Sequence, residues 1–223
     1  MKKCTGPDPK SSTFPHRLNA YALAAGAAGI SLLALAEPSS AEIIYTKTNQ
    51  TMGKEGTLYL DLNHDGITDV TIENRYHRHC NTLGTCFTSV SLAAVAPGSN
   101  QVVYNVYGAV AMKAGMGIGP LDAFKGGKEQ MAFSSHNISH AFGSWVNVTN
   151  RYLGVKFNIK GETHYGWVRL TVQTLGGLII TPTLTGYAYE TLPNTPITAG
   201  KTQGSADTNT TAGSLGRLAL GRR

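Results

Sequence analysis

One run of nine residues in this 223-residue chain has the composition and spacing of a cation-binding loop. Asp61-Leu-Asn63-His-Asp65-Gly66-Ile67-Thr68-Asp69 places side-chain oxygens at positions 1, 3, 5 and 9, with glycine at position 6 for a tight turn. The backbone carbonyl of Ile67 supplies position 7. Calcium takes roughly six to eight hard oxygen ligands, and this spacing wraps a short chain around one ion. The expectation is one Ca2+ held by Asp61, Asn63, Asp65, Ile67 and Asp69. Its role is structural, because full ligation by one closed loop leaves no open position of the sort a catalytic metal keeps. An EF-hand would carry a bidentate glutamate where this chain has Ile72. The same residues also read as a hairpin with an Asp65-Gly66 turn and solvated carboxylates.

Other residues invite chemistry less sharply. Trp167, Tyr165 and Tyr152, with Lys156, fall on one face of a hairpin, and an exposed strip of this kind would stack on sugar rings. The alternative is a second layer of chain covering that face. Arg75-Tyr-His-Arg-His79 is a cationic run that suits an anion or acidic polysaccharide, or a solvated surface loop. His136 and His140 have i, i+4 spacing but little helix propensity and no H-E-x-x-H glutamate. His164 reads as a packed histidine. The glycines at 115, 117 and 119 lack the Lys-Ser/Thr of a phosphate loop. Neither a Gly-x-Ser-x-Gly elbow nor a Cys–His pairing is evident, so no enzyme is expected, a hydrolase with an unrecognised site being the remaining alternative.

Lys2, Lys3 and Arg17 precede an apolar run from Ala20 to Ala36, and small Ser39 and Ala41 follow it. This is the pattern of a secretory signal peptide, residues 1–41, cut after Ala41. A membrane anchor is the competing reading, although the run of about 17 residues is at the short limit of a span. Residues 42–200 are expected to form one domain and 201–223 a disordered tail. Export makes a Cys80–Cys86 disulfide permissible, with free thiols as the alternative. The net charge of +6 is modest. Arg217, Arg222 and Arg223 place part of it in the tail, so nothing points to nucleic acid.

Strands must position these residues. The first two-thirds of Arg151 to Glu190 alternates with period 2 as a hairpin, and the whole stretch predicts a three-stranded meander. A II′ turn at Gly161-Glu162 would set Leu153 opposite Leu170, Val155 opposite Val168 and Phe157 opposite Gly166. These six share one face, with Phe157 covering the bare glycine. Tyr152, Lys156, Tyr165, Trp167 and Arg169 occupy the other. The third strand is expected at 183–190, after a Gly176-Gly177 break. Leu58, Leu60 and Leu62 alternate before the acidic loop, and Val70 and Ile72 follow it. Residues 87–96 and 101–112 read as strands with a bulge near Gly108, residues 75–84 as a loop, and 114–135 as weakly patterned chain. No helix of two turns is expected after residue 41. The fold class is all-β: an antiparallel β-sandwich, jelly-roll-like or related.

The Ala-rich leader ending SSA/EIIYT, the block RYLGVKF…THYGW-R and the block GYAYETLPNTPITAG together resemble secreted bacterial proteins of unknown function with tails related to PEP-CTERM sorting segments. The tail here keeps a leucine-alanine core and a terminal arginine pair but has no Pro-Glu-Pro. The acidic loop, flanked by strands, is similar to the calcium loops of FG-GAP repeats, in a single copy. The resulting expectation is a secreted or envelope-associated, non-enzymatic β-sandwich module, stabilised by Ca2+, that binds a glycan or cell-surface component and has no membrane span in its mature form. An envelope or matrix structural protein without a specific ligand is the alternative.

Overall fold

A tight turn at Lys160-Gly161 organises the largest hairpin. Both residues have positive φ, 51° and 92°, as a type I′ turn demands, and its twist matches that of the flanking strands. The Asn158 side chain accepts the Gly161 N–H at 2.7 Å and fixes the bend. This corrects the II′ turn expected one residue later. The register moves by two: Leu153 lies opposite Val168, Val155 opposite Gly166, and Phe157 opposite His164. A shift of two keeps every side chain on its expected face, because the strand period is two.

The computed structural model describes residues 41–137, 140–176 and 178–204. The predicted leader up to residue 40 and the tail from 205 onward lie outside the described residues. In chain order the strands are β1 (Ile43–Thr51), β2 (Thr57–Leu60), β3 (Val70–Cys80), β4 (Cys86–Ala96), β5 (Gln101–Asn105), β6 (Gly108–Ala109), β7 (Gly117–Ile118), β8 (Phe124–Lys125), β9 (Gly127–Ser135), β10 (Val148–Ile159), β11 (Glu162–Leu175), β12 (Ile179–Glu190) and β13 (Ile197–Thr198). The described residues contain no helix.

The strands form an antiparallel sandwich. The larger sheet runs β1-β12-β11-β10-β5-β6, with β8 also on β5, and the smaller runs β2-β3-β4-β9. Between them lies an apolar core that includes Ile72, Leu92, Met131, Trp145, Phe157 and Leu170. The meander β10-β11-β12 matches expectation, with β12 beginning four residues earlier than predicted. Its outer face is covered by a cap. The cap contains Met112, Ile118 and Ala199, and its β7 and β13 pair with each other.

Three local expectations give way. Residues 75–80 belong to β3 rather than a loop, because every one of them pairs with β4. The 101–112 stretch is two short strands around a turn at Val106-Tyr107 rather than one bulged strand. Within the weakly patterned region, β9 buries Met131 and Ala132. The body also runs past residue 200: the Lys201 carbonyl accepts the Trp167 indole N–H at 3.2 Å, and Gly204 lies against Glu42.

Glu73 ties β3 to β9. Its carboxylate bonds Arg75 at 2.9 Å and Lys128 at 2.9 Å. The Arg75 hydrogen bond and the Lys128 ammonium hold its pKa down to about 2. A depressed carboxylate pKa stabilises the fold above the unfolded value and loses that contribution as pH falls through the folded one. Arg75 and Lys128 are half exposed, so screening limits the contribution to about 1 kcal/mol. Glu73→Gln is expected to cost about that much at neutral pH and to flatten the loss of stability between about pH 4.5 and pH 2. Urea unfolding across that pH range checks it, and 1 M salt should remove most of the difference.

Candidate metal centre

The acidic loop closes the β2–β3 hairpin. Leu60 pairs with Val70, and the Asp69 N–H donates to the Leu60 carbonyl at 2.8 Å. Within the loop the chain folds back on its own carboxylates. Asp61 accepts the N–H groups of Asp65 and Gly66 at 3.2 and 2.7 Å. Asp65 accepts the Ile67 N–H at 2.8 Å and the Asn63 amide at 2.9 Å. Asp69 accepts the Leu62 N–H at 2.7 Å. Gly66 takes φ 88° and His64 φ 60° to allow these turns. Backbone donors thus fix the orientation of all three carboxylates.

The electrostatics are unbalanced. None of Asp61, Asp65 and Asp69 has an ion-pair partner among the described residues. Asp69 is buried, and its pKa rises to about 6, chiefly from desolvation, with the Asp61 and Asp65 charges adding to it against the opposing Leu62 hydrogen bond. Asp65 is exposed, and its pKa is lowered by the Asn63 amide and the Ile67 N–H. The Asn63 Oδ1 is buried without a hydrogen-bond donor. An orphaned buried oxygen costs about 1–3 kcal/mol, and this one belongs to the residue at position 3 of the ligand pattern. The donor set is all oxygen, which suits a hard cation. As placed, no three acidic, histidine or cysteine side chains among the described residues form a finished cage. Where the Ile67 carbonyl would contribute, the structure shows only its N–H engaged, with Asp65.

Two anchors hold the loop on the sandwich. Leu62 is buried and belongs to the core between the sheets. It fills the space left by Gly166 of β11, where an added Cβ would stand 2.9 Å from Leu62 Cδ2. The loop itself therefore covers this glycine, which Phe157 was expected to do. Asn100, in the β4–β5 turn, donates to the Asp69 carbonyl at 3.0 Å and accepts the Asn158 N–H of β10 at 3.2 Å. The loop thus touches both sheets.

The aromatic face is closed. Trp167 is 0% exposed, with Tyr165 and Tyr152 nearly as buried. Tyr152 stands edge-on to Trp167 at 5.2 Å, and Tyr45 lies 5.7 Å away. Opposite Trp167 sits Gly154, and cap residues Met112 and Ile118 lie against that glycine. Of the two readings of this face, the structure shows the covering layer: the aromatic residues form a second core rather than a sugar-stacking strip. Lys156 pairs with Tyr165 and reaches over Phe124, 5.6 Å from its ring centre.

The remaining residues do not gather into a site with the loop. Cys80 and Cys86 are directly opposed across β3 and β4 at disulfide distance, with Cα atoms 3.9 Å apart. His164 is buried, its Nδ1 2.9 Å from the Glu190 carbonyl, as a packed histidine. The basic run lies on β3, where His77 and His79 border a small hollow with His136. Compared with known proteins, the chain matches no family model, no curated protein and no solved structure.

Proposed function

We propose that this chain is an exported, non-catalytic β-sandwich binding module of the cell exterior, with one Ca2+ held by the Asp61–Asp69 loop as a structural tie. The observation that carries the calcium reading is the loop itself: three carboxylates without a cationic partner among the described residues, around a buried Asn63 oxygen without a donor. A cation would remove the mutual repulsion of the acids and engage that oxygen. Asp61, Asn63, Asp65 and Asp69 would hold it by their side chains and Ile67 by its carbonyl. Through Leu62 and Asn100 the ion would brace the hairpin against the larger sheet. The opposed cysteines support export, since such pairs persist as disulfides in oxidising compartments.

Extracellular calcium modules bind at about 10⁻⁴–10⁻³ M. Millimolar calcium should then stabilise the fold by roughly 0.4–1.4 kcal/mol, a rise in Tm of about 1–5 °C for a domain of this size. Thermal melts in calcium and in chelator are the test. Asp65→Ala is expected to abolish most of the response while leaving the chelated melting point close to wild type, because Asp65 is exposed. Identical melting curves for the wild type in calcium and in chelator would refute the proposal.

A further inference from the structure

A cleft of about 680 Å³ lies away from the acidic loop and shares no residue with it. One wall is the β5–β6 turn, the floor is the Lys128–Gln130 backbone of β9, and the other wall is Phe142–Ser144. The walls are fixed to one another. Ser144 Oγ and Trp145 Nε1 both donate to the Ala109 carbonyl of β6, at 2.7 and 3.0 Å. Gly108 and Gly143 bring both walls against β9 at φ 112° and 116°, and a Cβ on either would collide with the carbonyls of Gln130 and Met131. The cleft is therefore preformed.

Its chemistry is aromatic and neutral. Tyr107 is 78% exposed and Phe142 52% exposed, one on each wall. The charged groups of the floor are already compensated: Lys128 pairs with Glu73 at 2.9 Å and Glu129 with Lys125 at 2.7 Å. The neutral amides keep hydrogen-bonding capacity. Asn105 accepts the Tyr107 N–H through Oδ1 and retains its amide donors. Gln130 donates through Nε2 to the Leu92 and Ala132 carbonyls and retains its Oε1 acceptor. The Tyr107 hydroxyl adds a group that does both.

We infer that this cleft binds a neutral saccharide. A sugar ring offers an apolar C–H face to an aromatic side chain and a rim of hydroxyls that need donors and acceptors together. An anionic polymer would instead need unpaired cations, and Lys128 is engaged. The inference rests on the reading as a binding module and not on calcium.

The test is binding of the 42–223 protein, in calcium and in chelator, to immobilised neutral gluco-, manno-, galacto- and N-acetylglucosamine oligosaccharides, with a polyuronate alongside. At least one neutral saccharide is expected to bind under both conditions. Tyr107→Ala and Phe142→Ala should each weaken it by about fivefold to tenfold. Tyr107→Phe keeps the ring and should retain most of the affinity. Phe87→Ala, an exposed aromatic outside the cleft, should change nothing. Melting curves of the variants establish that they fold. Failure of every neutral saccharide to bind, binding that survives both alanine variants, or preference for the polyuronate would overturn the inference. A calcium-dependent melt alongside any of these would leave the metal reading standing.

Discussion

Trp167→Ala is expected to lower folding stability by about 3–5 kcal/mol without touching ligand recognition. The indole is wholly buried between the larger sheet and its cap. Its ring meets Tyr152 and Tyr45, and its N–H reaches the Lys201 carbonyl. Truncation removes the largest side chain of this second core and leaves a cavity that rigid strands cannot close. It also removes the indole N–H that the Lys201 carbonyl accepts. Urea unfolding should show a lower midpoint with an unchanged slope. Unaltered stability would mean that the cap does not seal the face and that the aromatic residues are open to solvent.

Leu62→Ala is expected to cost about 2–5 kcal/mol and to weaken calcium binding as well. Leu62 lies between two proposed ligands, Asp61 and Asn63, yet its side chain is in the core against Gly166. Its N–H orients the Asp69 carboxylate. Loss of the side chain leaves a hole over the glycine and frees the loop from the sheet that aligns it. Leu62→Met, which nearly conserves volume, should cost less than about 1.5 kcal/mol. Denaturant midpoints with and without calcium separate the two effects. A variant destabilised equally in both conditions would show that the anchor does not shape the metal site.

The sandwich was legible in the alternation of Leu153, Val155 and Phe157 against Val168 and Leu170, because period 2 survives a register error of two residues. The turn itself was not: Gly161 suits either central position, and Lys160 gives no cue that it will accept positive φ. The strand through Arg75–His79 was hidden by its charges, and pairing with β4 overrides their loop-like composition. Trp167 could be placed on a face from its neighbours, but what covers that face comes from 110–118 and 197–199, far away in sequence. The acidic loop was legible as a ligand pattern. The donor-less Asn63 oxygen and the Leu62 anchor are properties of packing. The cleft at Tyr107 and Phe142 left no local signal, because its walls are far apart in sequence and are joined through the Ala109 carbonyl and β9.

The most direct test of the calcium reading is a calorimetric titration of the chelator-stripped 42–223 protein with calcium at neutral pH, beside Asp65→Ala. One ion per chain, at a dissociation constant of about 10⁻⁴–10⁻³ M, is expected for the wild type, with little or no heat from the variant. No saturable heat from the wild type at millimolar calcium, or equal binding by Asp65→Ala, would contradict it and reduce the loop to a hairpin turn.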